Sequence, residues 1–242
     1  MKVNADQIIR ETIEAFNQSV EQKNKFALLT DLLDSVEYKE LHSSPLVPLE
    51  IKIDIDAFCQ EITKFDHKFQ QWGSQHTNLP RYGLSIVNKS GKLIENDPIN
   101  GSLFEWNKSN PSVPLFETDC TMPTEVLNLP SLAPLSVFNN YWARSNILKW
   151  GPGGEFKPHI DAVIPTPWIR LWGTTDYNNC KLRFYNNATG LMEIFENVDP
   201  GRLYIIDTTL VHDAYNNEGI VYQFFLSVFP SAKNIIKGLI NV

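Results

Sequence analysis

Pro158-His159-Ile160-Asp161 and the stretch Gly201-Arg202-Leu203-Tyr204-Ile205-Ile206-Asp207-Thr208-Thr209-Leu210-Val211-His212 decide how this chain folds. In the second stretch a glycine turn opens onto an apolar, β-prone run, and His212 follows a few residues past its end. In the first, residues two apart share a face of a strand, which sets His159 and Asp161 together on an inward face. The 53 residues from His159 to His212 leave room for roughly three or four short strands. A double-stranded β-helix needs such a length to bring a third side chain back beside the first two.

Working outward, short strands recur at 146–150, 156–162, 167–174, 181–186, 191–196, 202–207, 211–215 and 220–229, separated by Gly, Asn and Pro turns. Regular short strands of this kind indicate a barrel or jelly roll. Upstream, Tyr82 to Asn88 reads as a strand ending at the turn Lys89-Ser90-Gly91. Residues 95–135 are rich in Asn, Pro and Ser with little periodicity, the pattern of a lid or substrate wall. Before Leu79 the period is helical. Residues 4–22 carry Ile8, Ile9, Ile13, Phe16 and Val20 on one stripe, with Asn4 or Asp6 as cap. Residues 25–35 and 56–72 read as further helices, the latter with Phe58, Ile62, Phe65 and Phe69 on one face. His67 and His76, in or just past that helix among Lys and Gln, read as surface or packing residues. The expected architecture is mainly β with N-terminal helices. A helical region over 1–78 packs on a double-stranded β-helix core (jelly roll, cupin-like) over 79–242.

Two His and one Asp arranged as H-x-D…H are the ligand set of a 2-His-1-carboxylate facial triad. Such a triad grips one face of an Fe(II) ion and leaves the other open for O2 and a co-reductant. Zn(II) accepts the same ligands and would activate water for hydrolysis, so ligand type alone does not separate the two. A hydrolase needs a general base near the metal, and Asp207 and Asp213 are the acids nearest a ligand in sequence. A jelly roll that binds metal without turnover is a third reading, and ordinary polar histidines of a β-sandwich are the plainest. Gly151-Pro152-Gly153-Gly154 is no phosphate loop, because no Gly-Lys-Ser/Thr follows. No Ser or Cys lies in a nucleophile motif.

The net charge of −7 over 242 residues argues against a general nucleic-acid binder, which needs a basic footprint. No apolar run approaches the roughly 18–20 residues that span a bilayer, and Met1 to Asp6 lacks the apolar core of a signal peptide. Cys59, Cys120 and Cys180 are far apart and odd in number, which reads as free thiols in a reducing cytoplasm.

The run from Asn146 to Pro230 resembles the catalytic core of the aspartyl/asparaginyl β-hydroxylase family of Fe(II)/2-oxoglutarate dioxygenases, including its bacterial proline hydroxylases. The resemblance rests on Gly151 to Gly154, Pro158-His159, Arg170, Lys181-Leu182-Arg183, Gly201 to Asp207, His212, Asn216 and Val221 to Phe229. Arg81-Tyr82-Gly83-Leu84 resembles a strand preceding that core. From residue 80 onward this covers about two-thirds of the chain. The resemblance implies iron on His159, Asp161 and His212, and 2-oxoglutarate as co-substrate against Arg170. It further implies O2-dependent hydroxylation of an amino acid, a peptide or a peptidyl side chain. Alternation puts Trp168, Arg170 and Trp172 on one face, Trp172 standing where some relatives have His. One departure is serious. The family's closing-strand Arg, about ten residues after the distal His, is replaced by Tyr222, with Gln223 beside it. Three explanations compete: a relocated cation, a different keto acid, or metal binding without turnover. The first is preferred, with Arg170 as main anchor of the keto acid, Tyr222 as supporting donor and Lys149 in reserve.

Overall fold

The computed structural model describes residues 4–18, 35–72, 79–93, 107, 110–113, 115–161 and 168–240. Its core is eight strands: β5 (Trp142–Trp150), β6 (Glu155–His159), β7 (Ile169–Thr174), β8 (Cys180–Asn186), β9 (Leu191–Ile194), β10 (Arg202–Ile206), β11 (His212–Asn216) and β12 (Val221–Val228). They pair antiparallel as β5 with β12, β6 with β11, β7 with β10 and β8 with β9. The first and third pairs lie in the main sheet, the second and fourth in a four-stranded sheet ordered β6-β11-β8-β9. One two-stranded ribbon thus passes four times between two facing sheets, which is the double-stranded β-helix. The main sheet runs β1-β10-β7-β12-β5-β3-β2, with β1 (Leu46–Lys52), β2 (Gln70–Gln71) and β3 (Arg81–Asn88) extending it and β4 (Met122–Pro123) pairing with β3.

Period-2 alternation sorts β12 into two faces. Tyr222, Phe224, Leu226 and Val228 join the outer core with Phe58 and Ile62, while Gln223, Phe225 and Ser227 face the ribbon's interior, against Cys180, Arg170 and their neighbours. Both faces are buried, which is why the strand reads as a nearly unbroken apolar run.

The helices are α1 (Ala5–Gln18), α2 (Ser35–Leu41), α3 (Ile55–Glu61) and α4 (Lys233–Leu239). Residues 19–22 of the first expected helix and 25–34 of the second lie outside the described residues. The expected helix over 56–72 is divided. Asp54 caps α3 by accepting from Ala57 N at 3.0 Å, a 3-10 turn follows over Ile62–Lys68, and Gln70 and Gln71 pair with Gly83 and Tyr82. Phe58 and Ile62 pack on the outer face of the main sheet, whereas Ala5 and Ile8 of α1 pack on Ile160 and Val211. α1 therefore rests on the residues next to His159, Asp161 and His212.

Two regions differ from the sequence reading. Residues 46–52 form an edge strand beside β10, so the first 78 residues supply part of the sheet as well as helices. Pro48 lacks an N–H and hides this strand from a pattern search, yet an edge tolerates it; the register shifts just past it. Within the expected loop 95–135, of which 95–106, 108, 109 and 114 lie outside the described residues, Val126, Leu129, Leu132 and Leu135 are buried in the outer core. That part is a packed wall of 3-10 turns and no lid.

Gly201 carries a prediction. Its φ is +81°, and a Cβ there would meet Ile53 O at 2.6 Å. The turn also receives Ile53 N on Gly201 O, joining β1 to β10. Gly201→Ala combines a left-handed backbone with a backbone clash, and its cost is expected to be about 2 kcal/mol or more, measured by urea unfolding.

Candidate metal centre

His159 ends β6 and His212 begins β11, where the two residues are cross-strand partners. Their rings are 4.4 Å apart. A β-bulge sets the aim of His159. Ala214 lies opposite Phe156, so the step from Phe156 to His159 on β6 answers the shorter step from Ala214 to His212 on β11. Phe156 and His159 therefore share a side, with rings 3.8 Å apart. Bulges commonly re-aim a side chain in this way next to a site. Phe184, the partner of His212 on β8, faces it at 6.1 Å.

Asp161 reaches the site by another route than strand alternation. β6 stops at His159, and Asp161 lies in a bend whose N–H donates to Thr208 O at 3.0 Å. The same turn leads into His212, so one backbone hydrogen bond ties the carboxylate to the distal ligand strand. Asp161 Oδ1 stands 3.4 Å from His159 Nε2. Its side chain is 21% exposed, so the site meets solvent on this side.

The donor set suits a metal cation. Nδ1 of His159 lies 2.8 Å from Lys157 O, and Nδ1 of His212 lies 2.8 Å from Leu210 O. A carbonyl only accepts, so each Nδ1 carries the proton and each Nε2 keeps a lone pair for a ligand. His159 Nε2 is buried with no hydrogen-bond partner, a cost that a metal would remove. Burial, and next the neighbouring His159, push His212 down to about 4, which keeps its imidazole neutral. Burial pushes the Asp161 carboxyl up, but its contact with His159 and the proximity of His212 and Arg170 outweigh it and hold the group well below the usual carboxylate range. The ligand atoms of all three residues lie within 4.8 Å of one another. These three groups would together hold one divalent ion. Among the described residues no other group of three His, Cys, Asp or Glu comes together in this way.

The residues expected to hold a keto acid fall on both faces of the main sheet. Arg170 points inward, as alternation requires, with Cζ 5.5 Å from the Trp168 ring and 4.6 Å from the Phe225 ring. Its guanidinium is already engaged: NH2 donates to Glu117 Oε2 at 2.9 Å and NH1 donates to Ser227 Oγ. Trp172 is also inward but packs into the interior core, edge-on to Tyr177. Tyr222 and Lys149 point the other way. Tyr222 packs edge-on to Phe58 in the outer core, and Lys149 Nζ donates to Asp66 at 2.9 Å. Both therefore lie on the face of the sheet away from Arg170, since a one-residue step along a strand changes the face. Gln223 is the inward residue there, and its Nε2 donates to Cys180 Sγ. Tyr222→Phe and Lys149→Met are accordingly expected to leave divalent-metal affinity unchanged within about twofold, measured by calorimetry.

Glu117 escaped the sequence reading. It sits in a short 3-10 turn of the aperiodic region and joins two inward arginines, Arg170 and, at 3.7 Å, Arg144. No local signal marks it, because its partners lie on β5 and β7. The two acids considered as general bases are both engaged. Asp207 accepts from Tyr38 OH at 3.0 Å and from Thr209 Oγ1 at 2.6 Å. Asp213 is 2% exposed and takes a two-pronged pair from Arg183 at 2.8 and 2.6 Å.

No protein-family model matches the chain, and no curated protein matches it. Solved structures do. A prolyl-4-hydroxylase of Pseudomonas putida shares 12% identity over 79% of this chain and 95% of that one, with a TM-score of 0.42. A prolyl hydroxylase from Trichoplax adhaerens in complex with a hypoxia inducible factor peptide shares 11% over 89% and 96%, TM-score 0.44. A non-haem α-ketoglutarate-dependent epimerase of nogalamycin biosynthesis shares 10% over 81% and 83%, TM-score 0.43. The fold stands on the strand order alone, to which overlaps of this size add nothing.

Proposed function

We propose that the protein is an Fe(II)- and 2-oxoglutarate-dependent dioxygenase that hydroxylates an amino acid, a peptide or a peptidyl side chain. The observation that carries this is the donor set. Two Nε2 lone pairs and one ionised carboxylate converge at one end of a two-sheet barrel, the arrangement that leaves a metal open on its far side. Iron with a bound keto acid supplies O2 activation that no side chain offers. His159, Asp161 and His212 hold the metal, with Lys157 O and Leu210 O fixing the two rings. Phe156 packs against the His159 ring and Phe184 lies beside His212. Arg170, paired with Glu117, contributes positive potential beside Asp161.

The hydrolytic reading loses its general base, since Asp207 and Asp213 are tied up and Asp161 is spent on the metal. The three cysteines are free thiols, which fits a reducing cytoplasm. Among the described residues no helix is long and apolar enough to cross a membrane. The test is succinate formation from 2-oxoglutarate, dependent on both Fe(II) and O2, assayed across amino acids and short peptides. Succinate released by wild type and absent with His212→Ala is the expected result. Zn(II)-dependent ester or amide hydrolysis without succinate would transfer the site to the hydrolases.

A further inference from the structure

Backbone anchors of two metal ligands lie on one turn. Thr208 O accepts from Asp161 N at 3.0 Å, and Leu210 O lies 2.8 Å from His212 Nδ1. The turn is closed by its first residue, Asp207. Oδ1 of Asp207 accepts from Thr209 N at 3.0 Å and from Thr209 Oγ1 at 2.6 Å, and Leu210 N donates to Asp207 O at 3.4 Å. An aspartate at the head of a turn commonly supplies such a local acceptor. A third donor reaches the same oxygen from a distant part of the chain: Tyr38 OH lies 3.0 Å from Asp207 Oδ1, across 169 residues.

Helix periodicity places Tyr38 for this contact. Tyr38 and Leu41, three apart on α2, are both buried and both join the outer core. His42, four residues after Tyr38, stacks on its ring with centroids 3.9 Å apart, and its Nδ1 lies 2.8 Å from Tyr38 O. Glu37 accepts from Lys233 of α4 at 2.6 Å, so α2 is tied to the C-terminal helix as well. A phenol buried among apolar side chains loses its hydration, and a phenylalanine would fill the same space without that cost. Here the hydroxyl is matched to a carboxylate, the stronger kind of acceptor. Burial, and next the Asp207 carboxylate, push the Tyr38 phenol up, so it stays a donor. We infer that Tyr38 is a positioning residue: through Asp207 it fixes the turn 207–210, and with that turn the aim of Asp161 and His212 at the metal. This rests on the metal reading above, and it gives α2, outside the eight core strands, a part in the site.

Two phenylalanine variants separate positioning from the plain loss of a buried hydroxyl. Tyr38→Phe keeps the ring and its stack on His42. Tyr177→Phe is the matched control, because that buried hydroxyl donates to carbonyls outside the turn, Leu182 O and Phe195 O. Tyr38→Phe is expected to weaken Mn(II) about fivefold, the scale of one hydrogen bond, and to alter the electron paramagnetic resonance line shape of bound Mn(II). Tyr177→Phe is expected to lower stability and leave both unchanged. Asp207→Ala, which removes the acceptor itself, is expected to weaken Mn(II) about thirtyfold, within the range for groups that orient a ligand. Asp207→Asn keeps an acceptor for all three donors and should recover most of that loss. Thr209→Val takes another donor from the same oxygen and should weaken Mn(II) about threefold, which keeps the question answerable if Tyr38→Phe does not fold. Wild-type affinity and line shape in both Tyr38→Phe and Thr209→Val would overturn the inference, as would equal losses in Tyr38→Phe and Tyr177→Phe. If wild type binds no Mn(II), the metal reading fails by itself. Hydrogen exchange of the Asp161 amide in the metal-free protein then decides: faster exchange in Tyr38→Phe than in Tyr177→Phe sustains the positioning role, and equal rates remove it.

Discussion

His212→Ala and His159→Ala are each expected to lower Fe(II) or Mn(II) affinity by more than about a hundredfold, because losing a group that merely orients a ligand already costs 10–100-fold. Both rings have their Nδ1 fixed by a carbonyl two residues back, so neither can turn to offer the other nitrogen without breaking that bond. Asp161→Ala should do nearly as much by removing the negative member of the set, while Asp161→Glu lengthens the side chain against a backbone pinned to Thr208 O. The alanine variants should stay folded, since neither imidazole belongs to the two large apolar clusters that join helices and sheets. Anaerobic metal titration, paired with far-ultraviolet circular dichroism, checks both halves. One full equivalent of tightly bound metal in both histidine variants would move the centre elsewhere.

Short strands bounded by Gly, Asn and Pro were legible because turn residues and period-2 alternation act locally. All eight core strands are present within a few residues of where the pattern sets them, and H-x-D…H leads to a real convergence. Asp161 was legible for the wrong reason. Alternation along β6 points to it, but the strand ends first and a hydrogen bond to Thr208 does the placing. The face of Tyr222 was not legible from counting, since one residue separates the outer Tyr222 from the inner Gln223. β1 was hidden by Pro48. Glu117 lay beyond any local pattern, because it draws its meaning from arginines brought up by strands distant in sequence.

Glu117→Ala is expected to destabilise the fold by about 3–5 kcal/mol, the scale for breaking a buried ion pair by removing one partner. Glu117 is 19% exposed and its two arginines are each 5% exposed. Removing the carboxylate takes away the anion shared by two buried guanidiniums on β5 and β7 of the main sheet, while Ser227 Oγ still accepts from Arg170 NH1. Glu117→Gln keeps an acceptor and loses the charge, so it should fall between Glu117→Ala and wild type in urea unfolding. Replacing Arg170 and Glu117 together with glutamine removes one charge of each sign, and should cost less than the two single changes added, since the residues are coupled. The same variants report on the metal. Arg170 already bears on Asp161, and without Glu117 its positive field is no longer offset. Glu117→Gln should therefore weaken divalent-cation binding, whereas the double variant should restore it toward wild type. A merely structural Glu117 would lower stability in the single variant and leave the metal affinity of the folded protein untouched, so the two measurements together separate a wall brace from a carboxylate that also sets the field of the site.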